Sequence, residues 1–417
     1  MTPTTETATL AKWVQMVKRS QLQEMLFAAA KPGIISFAMG LPAPELFPTE
    51  GLSRAASYVL ANDSRALQYG PPFQPLKSQI VQMMMKRKVI CREEQVFITT
   101  GAQQGMNLLA RLLLEPGGQV LTEQMIYTGF QQVIEPYEPQ VLSVPTDAKT
   151  GIDVTAVSSL LAGGARPAFI YAISSGHNPL AVSLTAEKRL QLVELARQYR
   201  IPIIEDDPYG FLNYGEAVLP PLRGYDEQWV FYIGSFSKIL MPALRVGWLV
   251  VPESLIPKLS VVKEASDIDT NTFTQRLISR YVEQEDIDIH LSMLRHEYRT
   301  RRDAMAHALR EHFPAAAKWG SPDHGVFFWV ELPPEVDTMA LLAVALEKEG
   351  VAFIPGHAFT VDASNGMTNC MRLNFSHSSP VLIRDGIARL SKLVKEALVS
   401  GQSLYKGVSV MSSPAQI

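Results

Sequence analysis

The residues best placed to do chemistry lie in Gly234-Ser235-Phe236-Ser237-Lys238, which follows the apolar run 230–233 and precedes Pro242-Ala243-Leu244-Arg245-Val246-Gly247-Trp248. A lysine amine forms a Schiff base with an aldehyde, and it becomes nucleophilic when burial and neighbouring cations lower its pKa from about 10.4 toward neutrality. Ser235, Ser237 and Arg245 add hydroxyl donors and a guanidinium, a donor set suited to a phosphate dianion. Glu205-Asp206-Asp207-Pro208-Tyr209 closes the preceding apolar run with carboxylates and a phenol, and Asp207 there reads as a turn with an N-cap. Thr99-Thr100-Gly101-Ala102-Gln103-Gln104-Gly105 leads from a strand into a helix, a geometry that aims backbone N–H groups at an anion. The two cysteines, Cys91 and Cys370, have neither zinc-ligand spacing nor a disulfide framework; they read as packing residues in a reducing compartment.

Each of these stretches follows an apolar run, and those runs must position them. From about residue 97 to 251 one phrase repeats: a short β-rich run, a loop, then an amphipathic stretch long enough to cross over. Residues 96–99 precede a helical stretch at 103–114, 168–171 precede 186–199, and 201–205 and 229–233 read as further buried strands. This is an α/β pattern with a mostly parallel, covered sheet, whose ligands sit at the carboxyl ends of the strands. After about residue 252 the pattern changes to long helices at 255–264 and 272–309, two short β-runs at 325–332 and 371–375, and a last helix at 381–399. That predicts a smaller α+β domain. The expected division is an N-terminal helix (12–30) and entry loop in 1–45, packing with the small domain; a large domain at 46–300; a small one at 301–400; and a flexible tail at 401–417.

Size and charge narrow the function. A chain of 417 residues, 47% hydrophobic and 19% charged, is long enough for two lobes. Its 38 basic and 41 acidic residues are mixed along the chain, leaving no cationic footprint for nucleic acid. No apolar stretch approaches the roughly 20 residues that span a bilayer, and the start lacks a secretory pattern, so a cytoplasmic location without membrane contact is expected.

The segment around Lys238 resembles the SxSKxxxPxxRxG signature of fold-type I pyridoxal phosphate (PLP) aminotransferases, and the resemblance extends over about residues 20–398. It implies a seven-stranded, mostly parallel sheet covered by helices and a homodimer with shared active sites. It implies that Lys238 holds the cofactor as a Schiff base, with Ser235, Ser237 and Arg245 on its phosphate. Asp206 and Tyr209 match the family's D-x-x-Y pattern, a carboxylate on the pyridine nitrogen and a phenol on the ring 3-oxygen. Gly101-Ala102-Gln103-Gln104-Gly105 is similar to the turn beneath the phosphate, carrying over Ala102 and Gln103, and Tyr127 matches the aromatic residue stacked on the ring. Asn178 matches the asparagine of the NPTG motif, and Tyr69, in an LQY-like motif, is implied to reach the neighbouring subunit's phosphate. Gly40, in a GLPxxxxFP-like entry loop, and Arg372, in an R-L-x-F-like strand, are implied substrate contacts, Arg372 for the α-carboxylate.

The chain is most similar to the α-aminoadipate and kynurenine aminotransferase subgroup, with departures. NPTG reads Asn178-Pro179-Leu180-Ala181 with His177 before it; a glycine of the small domain is replaced by His324; and Gln23 stands where an arginine often meets the substrate side chain. A buried carboxylate needs a paired cation, so Gln23 argues for a neutral or basic amino acid, or one bound by other means, over a long dicarboxylic one. Either histidine could serve as an additional acid or base, or be satisfied by local hydrogen bonds. The expected reaction is amino transfer from an amino acid to a 2-oxo acid. Elimination, replacement, cyclisation, decarboxylation or oxidation on the same scaffold is the alternative. A ligand-sensing regulator is a third reading, but barely 30 residues precede the entry run at 35–37, too few for a helix-turn-helix module.

Overall fold

The computed structural model describes residues 11, 13–14, 33–215, 218–362 and 366–400. Apart from residues 13–14, the expected N-terminal helix lies outside them, as do Gln23 and the tail. The strands of the large sheet run in the order Val96–Thr99, Gly247–Val250, Val230–Ser235, Ile203–Asp206, Phe169–Ala172, Gln119–Glu123, Gln140–Val144, seven in all. The last five are mutually parallel, while Gly247–Val250 runs antiparallel to both its neighbours.

These strands are nearly continuous apolar runs because both faces are covered. Phe169 and Tyr171 point to one layer, packed against the helices Ala102–Leu113 and Ile256–Asp267, whereas Ile170 and Ala172 point to the other, with Leu192 and Val193 of Ala186–Tyr199. Each connection returns the chain to the same starting end, so the parallel strands deliver the residues that follow them to one end of the sheet.

The C-terminal part holds a four-stranded sheet in the order Lys318–Trp319, Phe327–Glu331, Cys370–Asn374, Ile354–Pro355. Two of these were expected; the outer pair are two-residue strands, too short to show alternation. The long helical stretch at 272–309 is two helices, Thr272–Gln284 and Ile287–His312, because the Asp286 side chain accepts the Asp288 N–H and starts a new helix. Ile287–His312 crosses residue 300 unbroken and packs on the final helix, Pro380–Ser400. Ile35–Ser36 pairs in parallel with Val351–Ala352, tying the entry loop to this part of the molecule.

Candidate active site

Gly40, Ala102, Gln103, Tyr127, Asn178, Asp206, Tyr209, Ser235, Ser237, Lys238, Arg245 and Arg372 all line one cavity of about 210 Å³. They come from strand ends far apart in sequence, together with the entry loop and the small sheet.

Asp206 ends its strand with its side chain buried. Oδ2 accepts the Tyr171 hydroxyl at 2.8 Å from the adjacent strand, and Oδ1 is buried with no hydrogen-bond partner among the described residues. Burial raises this carboxyl to about 7, with Tyr171 opposing and Asp207 reinforcing the rise. Tyr171 is itself immobilised by stacking on Phe130, with centroids 3.7 Å apart. Lys238 follows the next strand in a short turn that Ser235 caps by accepting the Ser237 N–H at 3.1 Å. Its Nζ donates to the Gly40 carbonyl at 2.7 Å, and burial, then Arg372 and Arg245, lower its pKa to about 8. Only glycine lets the entry loop come so near: a Cβ on Gly40 would stand 2.7 Å from Phe327 Cζ.

At the other end of the cavity, the helix Ala102–Leu113 begins after Gly101, which has no side chain to cap it. With no side-chain cap on this helix, its first-turn amides at Ala102 and Gln103 are left for another acceptor. Arg245, held in a left-handed conformation at φ 51°, donates from Nη2 to the Thr100 carbonyl at 3.2 Å. Gln103 Nε2 donates to Gly129 O at 2.7 Å, and Asp267 accepts from Gln104 and Thr100, bracing the turn. Burial, and then the Asp206 charge, raise the Tyr127 phenol, which keeps it protonated near neutrality.

Arg372 is buried with its guanidinium carbon 4.0 Å from the Phe327 ring centroid and 4.8 Å from that of Phe359. Nη1 donates to Asn178 Oδ1 and Nη2 to the Ala38 carbonyl, each at 2.6 Å. Burial lowers its pKa to about 10, and no carboxylate among the described residues pairs with it. It is a pre-aimed cation suited to an incoming carboxylate.

Tyr69 is elsewhere. It is 74% exposed and lines a separate cavity with Gly70, Pro72, Lys263 and Thr270. Asp207 does not cap a turn: its buried carboxylate pairs with Arg87 at 2.5 Å behind the site, a partner 120 residues away that local sequence could not reveal. His324 lies behind the cavity, its Nδ1 3.3 Å from Ser183 Oγ, with burial holding it down to about 4, and it is neutral at physiological pH. Sequence reasoning missed Tyr171, Phe327 and Phe359. Tyr171 looks like an ordinary strand residue until the register beside Asp206 is known, and Phe327 and Phe359 look like ordinary core aromatics until they are placed over Arg372.

Fold and site together define an α/β enzyme whose cavity is lined by a buried lysine, a buried carboxylate with one unpartnered oxygen, and a buried arginine that no carboxylate among the described residues pairs with. Comparison with known proteins agrees: residues 43–390 match the model of aminotransferase class I and II, and the chain belongs to that family. It is 37% identical over 391 residues to aromatic-amino-acid aminotransferase 1 of Thermococcus litoralis, covering 92% of this chain and 93% of the relative. It is 35% identical to the 2-aminoadipate transaminase of Thermus thermophilus, covering 95% and 99%. Among solved structures, the Thermus thermophilus α-aminoadipate aminotransferase LysN, complexed with N-(5'-phosphopyridoxyl)-L-leucine, superposes with TM-score 0.87 at 34% identity, covering 94% and 98%. The protein is a fold-type I aminotransferase and its cofactor is pyridoxal 5'-phosphate. The site fits that group on its own terms. A buried carboxylate oxygen without a donor suits a protonated ring nitrogen, and the uncapped helix start beside Arg245 suits a phosphate.

Proposed function

We propose that the protein transfers the amino group of an amino acid with a neutral side chain to a 2-oxo acid, with Lys238 carrying the proton. The observation that supports this most directly is that Lys238, Asp206 and Arg372 line one cavity. When bound, PLP supplies an electron sink for the pair of electrons left on the substrate α-carbon.

Lys238 would attach the aldehyde end, and once released its Nζ, whose pKa burial holds below that of a free lysine, would carry the proton to and from the substrate α-carbon. Asp206 Oδ1 would keep the ring nitrogen protonated, while Tyr127 would cover the ring face. Tyr209 and Asn178 would hold the 3-oxygen. Ser235, Ser237, Arg245 and the amides at Ala102 and Gln103 would hold the phosphate. Arg372 orients the substrate by its α-carboxylate, and the entry loop at Gly40 excludes water.

The cations lining the cavity among the described residues are Lys238, Arg245 and Arg372, each committed in this scheme, while Met39, Leu41, Ile173 and Phe327 supply apolar surface. With Gln23 in place of an arginine, this supports a neutral side chain. We infer further a homodimer in which each Tyr69 reaches the other chain's phosphate, lobes meeting near residue 300, and a cytoplasmic location, in keeping with two free buried cysteines.

The deciding experiment incubates the holoenzyme with single amino acids and 2-oxoglutarate. Glutamate and a new 2-oxo acid in equal amounts are expected; ammonia released without glutamate would instead refute amino transfer.

A further inference from the structure

His177 and Glu123 are buried against each other and neither lines the cavity. His177 Nε2 is 3.0 Å from Glu123 Oε2, Glu123 Oε1 accepts the Thr146 hydroxyl at 2.9 Å, and His177 Nδ1 faces the Leu180 N–H at 3.4 Å. An imidazole nitrogen that accepts an N–H carries no proton, so the ring proton sits on Nε2 and is donated to Glu123. One residue on, Asn178 holds Arg372 Nη1. Glu123 ends the strand that leads to Tyr127, and the Ile126 N–H donates to the carbonyl of Phe359, whose ring covers Arg372.

The loop between them has a reason to need a clamp. Ala181 stands where the resembling motif has glycine, and it adopts φ 59°, a left-handed backbone that glycine takes freely and alanine does not. Such a conformation persists where the surroundings over-determine it. Here the His177 N–H donates to Val182 O at 2.8 Å, the Ala181 N–H to His177 O at 2.6 Å, and the imidazole ties this closed loop to the sheet through Glu123.

We propose that His177 and Glu123 are positioning residues: their buried pair holds the 177–182 loop in its strained form, and through Asn178 it aims Arg372 at the substrate carboxylate. This rests on the aminotransferase reading above. Removing the clamp should loosen carboxylate binding while leaving the cofactor and Lys238 in place.

The test compares His177→Leu, His177→Asn, His177→Gln and Ala181→Gly holoenzymes. In His177→Leu, and in His177→Asn, whose amide is too short to reach Glu123, KM for both amino acid and 2-oxo acid should rise about tenfold with kcat within roughly threefold and cofactor content unchanged. His177→Gln, which can still donate to Glu123, should stay within roughly threefold of the parent KM, and adding Ala181→Gly to His177→Leu should recover part of the loss. Nitrogen-15 NMR of the histidine-labelled full chain should show His177 protonated on Nε2 and bare on Nδ1. Unmoved KM values in folded, cofactor-loaded His177→Asn, a fall in kcat alone, or a proton on Nδ1 would each overturn the clamp. A parent without amino transfer would overturn the proposed function instead, and the nitrogen spectrum would still read the clamp.

Discussion

Asp206 shows how one side chain's surroundings set its chemistry. Its folded pKa, raised from 3.8 to about 7 by burial, means that its contribution to stability is full below about pH 4 and is lost as pH rises through about 7. Asp206→Asn should therefore stabilise the protein without PLP more at pH 8 than at pH 4, by up to roughly 4 kcal/mol as an upper bound. Thermal melts at the two pH values check this, and an equal shift at both would refute the raised pKa. The same variant, loaded with PLP, should lose most turnover yet retain the cofactor, because the phosphate anchors remain while the ring-nitrogen partner is lost. The sequence identified Asp206 by its place beside Tyr209. That Tyr171 takes Oδ2 while Oδ1 has no partner among the described residues is decided by the fold alone.

At the scale of elements, the strand-to-helix turn at Gly101 is where the proposed placement puts the cofactor phosphate. Gly101 has φ 85°, and a Cβ there would lie 2.6 Å from Arg245 Nη2. Gly101→Ala should thus strain the turn and displace Arg245 together, weakening PLP affinity at least about tenfold, measured by cofactor titration. The strand-loop-helix phrase that marks this turn is visible in sequence because its apolar period is local. The antiparallel strand Gly247–Val250 is less visible: it is as apolar as the parallel strands, and only the pairing of Trp248 with Ile98 and Gly234 reveals its direction.

At the scale of the whole molecule, two expectations depend on what surrounds the cavity. If Tyr69 completes the neighbouring subunit's site, mixing inactive Tyr69→Ala and Lys238→Ala proteins should restore activity, to at most one intact site in each heterodimer, because both defects can fall in the same site. An absence of recovery after confirmed subunit exchange would sink the shared site. Gln23→Arg should raise the specificity constant for aminoadipate relative to leucine or an aromatic amino acid, by up to about a thousandfold if the buried side-chain carboxylate gains its only cation. An unchanged ratio, or a parent that already prefers aminoadipate, would defeat the argument from this position.

The sequence by itself determined the α/β class, the lysine and the residues grouped around it, because each is written in short motifs at the ends of apolar runs whose period and punctuation are local properties. Tertiary structure alone decided which polar and ionisable side chains are paired. Asp207 finds Arg87, His177 finds Glu123, and Arg372 is left with Asn178, Ala38 and two aromatic rings. Those partners lie on different strands and loops, and a charge's protonation and reach depend on burial and on neighbours brought together only when the sheet closes over them.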